Sequence, residues 1–246
     1  MATPQPSTSS EKTFTSYTKE QGESYAQARP SYNPKLYQTV LEYHTSTGGQ
    51  LGTLLDVGCG PGTAARALAP SFSQTIGIDP SEGMIKHACT LNDTNDLSQS
   101  IRYELSTAED LGSHLTPPIP DSSIDLLTAS TAAHWFNMPA FWASASRVLK
   151  PGGTVALWTV GQVGIHHSVP NAESLNKVLM EIEEKELEPF FERGNWIARN
   201  LYRDLDLVKR IRREIERLLR ESGVSEGEEF IRVSPKGVLL MMKKNV

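Results

Sequence analysis

Leu54-Leu55-Asp56-Val57-Gly58-Cys59-Gly60-Pro61-Gly62-Thr63 decides how this chain is read. An apolar run ends in an acid, a glycine-dense turn follows, and the alanine-rich segment Ala64 to Ala69 reads as helix. The pattern is strand, loop, helix, with the loop nearly stripped of side chains. Glycine there permits positive φ and lets a ligand approach bare backbone amides. A following helix would aim its first N–H groups and its positive dipole end at the same place. A polar ligand with an anionic group is expected there. The spacing narrows the choice. A dinucleotide fingerprint, G-x-G-x-x-G, needs a glycine where Thr63 stands, and a P-loop needs a lysine that does not follow Gly62.

Working outward, strand one is Thr53–Val57, and the next apolar run, Thr75 to Ile78, ends in Asp79-Pro80. An acid at the end of the second strand, about 20 residues past a glycine loop, is placed to accept hydrogen bonds from both hydroxyls of a ribose. Two carboxylates, Asp56 and Asp79, at successive strand ends beside one glycine loop are a stronger signal than either alone. Ser81 caps a helix running to about Leu91, in which Met84 is either an apolar face for an adenine or core. Strand three is Ile101–Leu105. Strand four, Ser123–Ala129, ends in Ser130-Thr131-Ala132-Ala133-His134-Trp135-Phe136, where open α/β sheets keep their chemistry. Pro139 to Leu149 reads as helix, Lys150-Pro151-Gly152-Gly153 as a break, and the apolar run Thr154–Val160 as a buried central strand.

The flanks are less regular. Residues 1–13 are Pro/Ser/Thr-rich and expected to be disordered. Residues 14–52 form an aromatic-rich arm that either covers a ligand or packs on the sheet. Tyr25 and Arg29 are its candidate acceptor-binding residues, the guanidinium being able to pair with a carboxylate bidentately. Residues 53–160 form the cofactor-binding core. Residues 161–204 interrupt the αβ alternation, with His166-His167 and a helical pattern from Asn171 to Leu187, and read as a substrate lid. Residues 205–246 read as a charged amphipathic helix, Leu207 to Glu221, and a tight hairpin turning at Ser234-Pro235-Lys236-Gly237. The whole of 14–246 is expected to be one α/β domain: a Rossmann-like doubly wound sheet, mostly parallel, with an antiparallel C-terminal hairpin strand.

Composition excludes several classes. Of 246 residues, 38% are hydrophobic, enough for a sizeable core, and the net charge of −5 offers no basic footprint for nucleic acid. No apolar run approaches the roughly 20 residues of a membrane span. The first ten residues hold no apolar stretch of a secretory signal. Two cysteines make no disulfide framework and suit a cytoplasmic protein, and no Cys/His cluster has metal-ligand spacing, so no metal is expected.

Together, D-V-G-C-G-P-G, I-D-P-S-E-G-M, an A-E turn, D-L-L-T-A-S-T-A-A-H-W-F and L-K-P-G-G-T resemble class I S-adenosylmethionine-dependent methyltransferases. Within them the chain looks most like the fungal trans-aconitate methyltransferase group, through A-A-H-W-F at 132–136, L-W-T at 157–159 and P-N-A at 170–172. The lid is shorter than that group's. The resemblance implies S-adenosyl-L-methionine as cofactor, S-adenosyl-L-homocysteine as product, and a small-molecule acceptor. It implies cofactor contacts from Asp56, Gly58, Cys59, Gly60, Asp79, Pro80, Met84, Ser130 and the Ala108-Glu109 turn, the last at the adenine edge; a dipole-favoured helix acid is the other reading of Glu109. Methyl transfer is an in-line displacement, and the protein's main task is alignment. A carboxylate acceptor needs no base, whereas a hydroxyl or amine does, and His134 is the histidine at a strand end over the site. His134, as base or orienter, and Trp135 are therefore expected on the acceptor side. Two readings stay open beside carboxylate methylation: methylation of a hydroxyl or amine of a secondary metabolite, and a protein that binds the cofactor without methyl transfer. The glycine spacing argues against a nicotinamide-dependent oxidoreductase.

Overall fold

A computed structural model describes residues 16–28, 31–92, 100–165, 172–182 and 233–245, with positions 213, 217, 220 and 221. The chain forms two compact units, residues 1–159 with 238–246, and residues 160–237. In the first, α1 (Lys19–Ala28) and α2 (Pro34–Ser46) precede β1 (Thr53–Val57), α3 (Thr63–Leu68), β2 (Gln74–Asp79), α4 (Glu82–Asn92), β3 (Arg102–Leu105), β4 (Ile124–Ser130) and α5 (Met138–Val148). β5 (Leu149–Ile165) and β6 (Val233–Lys243) complete a six-stranded sheet of order β3-β2-β1-β4-β5-β6. β1 pairs in parallel with β2 and β4, β2 with β3, and β4 with β5. The order reverses between β1 and β4, which makes their carboxyl ends the crevice of a doubly wound sheet. The second unit contains α6 (Ala172–Ile182), inside the predicted 171–187 pattern.

Alternation along the strands sorts the core. Leu54, Leu126, Ala156 and Trp158 face Val40 of α2 and Ala64 and Leu68 of α3. Leu55, Val57, Leu127, Ala129, Val155 and Leu157 face Phe141, Ala145 and Val148 of α5. Each large apolar side chain buried in this way is worth about 2 kcal/mol relative to exposure. Local chemistry sets the helix starts. Asn33 caps α2 by accepting from the Lys35 N–H with Pro34 in the first turn, and Asn137 caps α5 by accepting from the Ala140 N–H. His44, wholly buried, ties α2 to β5: one ring nitrogen bonds Thr154 Oγ1 at 2.8 Å and the other bonds the Gln50 carbonyl at 2.8 Å. Burial holds its pKa below the usual histidine value.

The structure corrects two expectations at the C-terminal end. Strand five starts at Leu149, not after the Pro-Gly-Gly break. Leu149 pairs with Ile124, a register shift follows, and Leu126 then pairs with Thr154. Lys150 to Gly153 is thus a bulge inside a strand. The Gly152 N–H donates to the Lys244 carbonyl and the Lys244 N–H to the Gly153 carbonyl, which stitches the bulge to the end of the last strand. The tight turn at 234–237 is absent, because β6 runs through it from Val233 to Lys243. β6 is the sheet edge, the place in a sheet where a proline is tolerated. The antiparallel closing strand stands, without the hairpin. The expectations for residues 1–13, His166-His167 and most of 161–204 and 207–221 lie outside the described residues.

Candidate functional site

The glycine loop is built as its composition demands. Gly58, Gly60 and Gly62 all take left-handed backbone, with φ of 63°, 53° and 80°. A Cβ on Gly58 would stand 2.6 Å from the Ala132 Cβ, so this glycine lets the β1 and β4 ends touch. On Gly62 it would stand 2.1 Å from the Tyr103 hydroxyl oxygen. On Gly60 it would meet nothing within 4 Å. Gly60 is the point at which bare backbone faces open space. α3 itself has only six residues before Pro70 tightens it into a 3-10 turn, so its dipole adds little and the loop amides make the cradle.

Asp79 organises this loop. One carboxylate oxygen accepts from the Gly60 N–H at 2.8 Å and the other from the Ser81 N–H at 2.8 Å. The side chain thus joins the glycine loop to the start of α4, where the Ser81 hydroxyl caps the Met84 N–H. Asp56 is wholly buried one strand away. Its Oδ1 accepts from the Thr128 hydroxyl at 2.7 Å, and its Oδ2 has no hydrogen-bond partner. Burial first, opposed by the Thr128 hydroxyl and the nearby Ala65 N–H and assisted by the Asp79 charge, pushes its pKa up to about 7.

Other predicted residues divide by where their side chains go. Cys59 is buried with Ala65, Ala88, Ile101 and Tyr103, and burial beside two carboxylates pushes its thiol pKa well up. It is a neutral packing group whose thiol donates to the Gly60 carbonyl at 3.6 Å and whose N–H donates to the Ile78 carbonyl of β2. Met84 and Ala108 are buried, Ala108 in the α5-side core, while Pro80 is exposed and Ser130 half-buried. The Glu109 carboxylate accepts from the Asn137 N–H at 2.8 Å at the start of α5, so it already has a structural task. His134 is exposed in a short 3-10 turn after β4, its ring centroid 4.9 Å from that of Trp135. Tyr25 is half-buried on α1 with its ring centroid 6.4 Å from that of Tyr17. Arg29 lies outside the described residues.

The arm before β1 packs on α4. A Cβ on Gly22 would stand 3.0 Å from the Gly83 carbonyl, and one on Gly83 would stand 2.1 Å from the Tyr17 carbonyl. This backbone-to-backbone contact falls in the first turn of α4, just after Asp79 and Ser81, so the arm borders the loop and is more than a distant decoration. Sequence reasoning passed over Thr128, Tyr32 and Thr131. Thr128 lies 72 positions from Asp56, and only the β1–β4 register brings them together.

A sheet reversing at a glycine loop, with an acid closing the second strand, defines a Rossmann-like fold of the class I methyltransferase kind. The comparisons agree. Residues 55–157 match the methyltransferase domain family Methyltransf_11. A Dictyostelium discoideum protein described as a methyltransferase is 34% identical over 142 residues, which cover 58% of this chain and 48% of that one. CRG1 of Saccharomyces cerevisiae, described as an S-adenosylmethionine-dependent methyltransferase, is 34% identical over 146 residues, covering 58% and 47%. The chain spans about half the length of these curated relatives. A solved structure described as a type II methyltransferase from Anaeromyxobacter dehalogenans superposes with a TM-score of 0.60 at 23% identity, covering 87% of this chain and 97% of that one. A Methanococcus maripaludis structure described as an S-adenosylmethionine-dependent methyltransferase gives 0.53 at 18% identity, covering 93% and 94%. The solved structures share the fold. Residues 55–157, a little under half of the chain, are thus similar to a methyltransferase domain.

The residues present fit that cofactor. A group bound there would lie against backbone at Gly60, where no atom stands within 4 Å of an added Cβ, and the Asp79 and Asp56 carboxylates would supply acceptors for its hydroxyls and its cationic amino group. When bound, S-adenosylmethionine supplies an electrophilic methyl on a sulfonium. Among the described residues, no group of three or more His, Cys, Asp or Glu is placed to hold a metal ion, and no helix is long and apolar enough to cross a membrane.

Gly62 and Gly60 separate packing from binding. Gly62→Ala is expected to lose at least about 3 kcal/mol, from left-handed strain and from driving the buried Tyr103 ring off Gly77. Gly60→Ala is expected to cost about 1 kcal/mol of strain yet weaken S-adenosylhomocysteine binding about tenfold or more. Chemical denaturation and titration calorimetry check both, and wild-type affinity in Gly60→Ala would move the cofactor off this loop.

Proposed function

We propose that the protein transfers the methyl group of S-adenosyl-L-methionine to a small-molecule acceptor, releasing S-adenosyl-L-homocysteine. The observation that carries this reading is the open, left-handed Gly60 held by Asp79 at the point where the sheet order reverses. For the acceptor, the reading is a carboxylate oxygen, as in a trans-aconitate-like acid. A carboxylate is already a nucleophile, and an in-line attack asks only for alignment, which is worth roughly 7–11 kcal/mol when reactants are held as near-attack conformers. The exposure of His134 supports this choice, since a residue in water is better suited to orient an anion than to act as a desolvated base. Tyr25, Arg29 and Trp135 are proposed to line the acceptor side, and Met84 and the Ala108-Glu109 turn the adenine side. A cytoplasmic location suits such an acceptor.

The test is incubation with methyl-labelled cofactor and a panel of small carboxylic acids, phenols and amines. Label in base-labile esters supports the carboxylate reading. Label only in phenols or amines replaces it with hydroxyl or amine methylation of a secondary metabolite. Tight cofactor binding with no labelled product leaves a binding protein. His134→Ala is expected to lower turnover about tenfold or more while cofactor affinity changes less than about twofold; unchanged turnover would make His134 structural.

A further inference from the structure

Thr131, the first residue after β4, has φ of 51°. Left-handed backbone is a strained state for a β-branched residue, and it persists only where surroundings hold it. Three contacts surround it. Its N–H donates to the Trp158 carbonyl at 2.7 Å. Its hydroxyl shares a hydrogen bond of 2.9 Å with the Tyr32 hydroxyl, across 99 positions of chain. Its neighbour Ala132 lies against Gly58, so close that no Cβ fits between. Tyr32 is itself pinned. Its ring meets Trp158 edge-on at 5.9 Å and Tyr37 at 6.2 Å, and Tyr37 meets Trp158 at 6.2 Å. Such edge-to-face pairs favour one ring placement over others. The pin stands directly before Asn33, the residue that caps α2.

We propose that Tyr32 is a positioning residue. Through the Thr131 hydroxyl it holds the β4 end in its left-handed turn, and so fixes where Ala132 to Trp135 stand relative to the glycine loop. This rests on the methyltransferase reading. In-line displacement is sensitive to small misplacements of the acceptor, so the effect falls on the acceptor and hardly on the cofactor. The strained backbone is the reason a latch is needed: without the hydroxyl pair, Thr131 relaxes toward the extended region and carries the following turn with it.

The test uses the whole chain and two readouts. Amide hydrogen exchange at Thr131 reports the latch irrespective of any chemistry. Acceptor kcat/KM, with the dissociation constant of S-adenosylhomocysteine beside it, reports positioning. In Tyr32→Phe and in Thr131→Val the amide at position 131 is expected to lose about three- to tenfold of its protection, relative to the intrinsic exchange rate of each sequence, as loss of one hydrogen bond implies. Acceptor kcat/KM is expected to fall by a similar or larger factor, with cofactor affinity within about twofold. Thr131→Ser keeps the hydroxyl and is expected to behave as wild type. The double variant Tyr32→Phe/Thr131→Val is expected to be no worse than either single one, since both remove one bond. Unchanged exchange in Tyr32→Phe, or additive losses in the double variant, overturns the latch. Faster exchange with acceptor kcat/KM unchanged overturns the positioning role. If the wild type transfers no label while Tyr32→Phe still loosens Thr131, the reaction assignment fails and the latch stands.

Discussion

Asp79→Ala is expected to abolish cofactor binding, weakening S-adenosylhomocysteine by at least about a hundredfold, and to destabilise the protein by about 3 kcal/mol. Both effects come from one carboxylate. It holds the Gly60 and Ser81 N–H groups, and Ser81 is wholly buried. Without it, the Ser81 N–H loses its acceptor, a penalty of about 1–3 kcal/mol where it stays unpaired, and the glycine loop loses the anchor that keeps Gly60 facing open space. The acceptor proposed for ribose hydroxyls goes with it. Asp79→Asn separates the two effects: its amide oxygen retains one backbone bond, so most stability returns while affinity stays at least about tenfold down. Calorimetric titration and urea denaturation measure both quantities. Full binding by folded Asp79→Ala would sink the ribose assignment.

Asp56→Asn is expected to act in the opposite sense on stability. The folded pKa of Asp56 is pushed up to about 7 from an ordinary 3.8, chiefly by burial. Between those values the native state holds a proton that the unfolded chain has lost. Native stability from this group is therefore full below about pH 4 and is lost as pH rises to 7. At about 1.4 kcal/mol per pKa unit the loss reaches about 4 kcal/mol above pH 7. An asparagine keeps an acceptor for the Thr128 hydroxyl and carries no charge, so Asp56→Asn is expected to gain about 2–4 kcal/mol at pH 8 and nothing at pH 4. The gain is expected to come with weaker cofactor binding. A cation beside Oδ2 favours the ionised carboxyl, so wild-type affinity is expected to rise with pH through 7. In Asp56→Asn, which has no proton to lose at this position, that rise is expected to vanish. Denaturation curves at pH 4 and pH 8 decide the first part; equal stability at pH 8 would mean that Asp56 is ionised without cost. A destabilising charge kept at a strand end over the crevice is what a trade of stability for function predicts.

Much of this site was legible locally. The β1 run, the three glycines, Asp79 23 positions after Asp56 and the Ser81 cap are features of short range. Their meaning depends on backbone preference and on strand-loop-helix spacing, so Thr53–Val57 and the α4 start fall where the residues place them. The aromatic arm was ambiguous between cover and packing, because aromatic content says nothing of direction; the Gly22–Gly83 approach is what sets it on α4. Pro and Gly at 151–153 and 235–237 read as breaks because both residues usually punctuate. In the sheet, a bulge and an open edge absorb them. Glu109 read as a ligand group at short range, and its bond to Asn137 forms only once β4 and α5 are in place.

The cradle follows from local chemistry: glycines that can take positive φ, an acid on each of two neighbouring strands, and an apolar alternation that sets them at one end of a parallel sheet. Those are properties of single residues and of strand period, and they survive without knowing any partner. The state of the groups around it comes from packing across the fold. Asp56 is shifted because folding buries it against Thr128, 72 positions away, and leaves one oxygen unpartnered. Thr131 is held left-handed because Tyr32, Trp158 and Gly58 converge on it from three other segments. Desolvation and strain are sums over neighbours in space, and only the folded chain sets who those neighbours are.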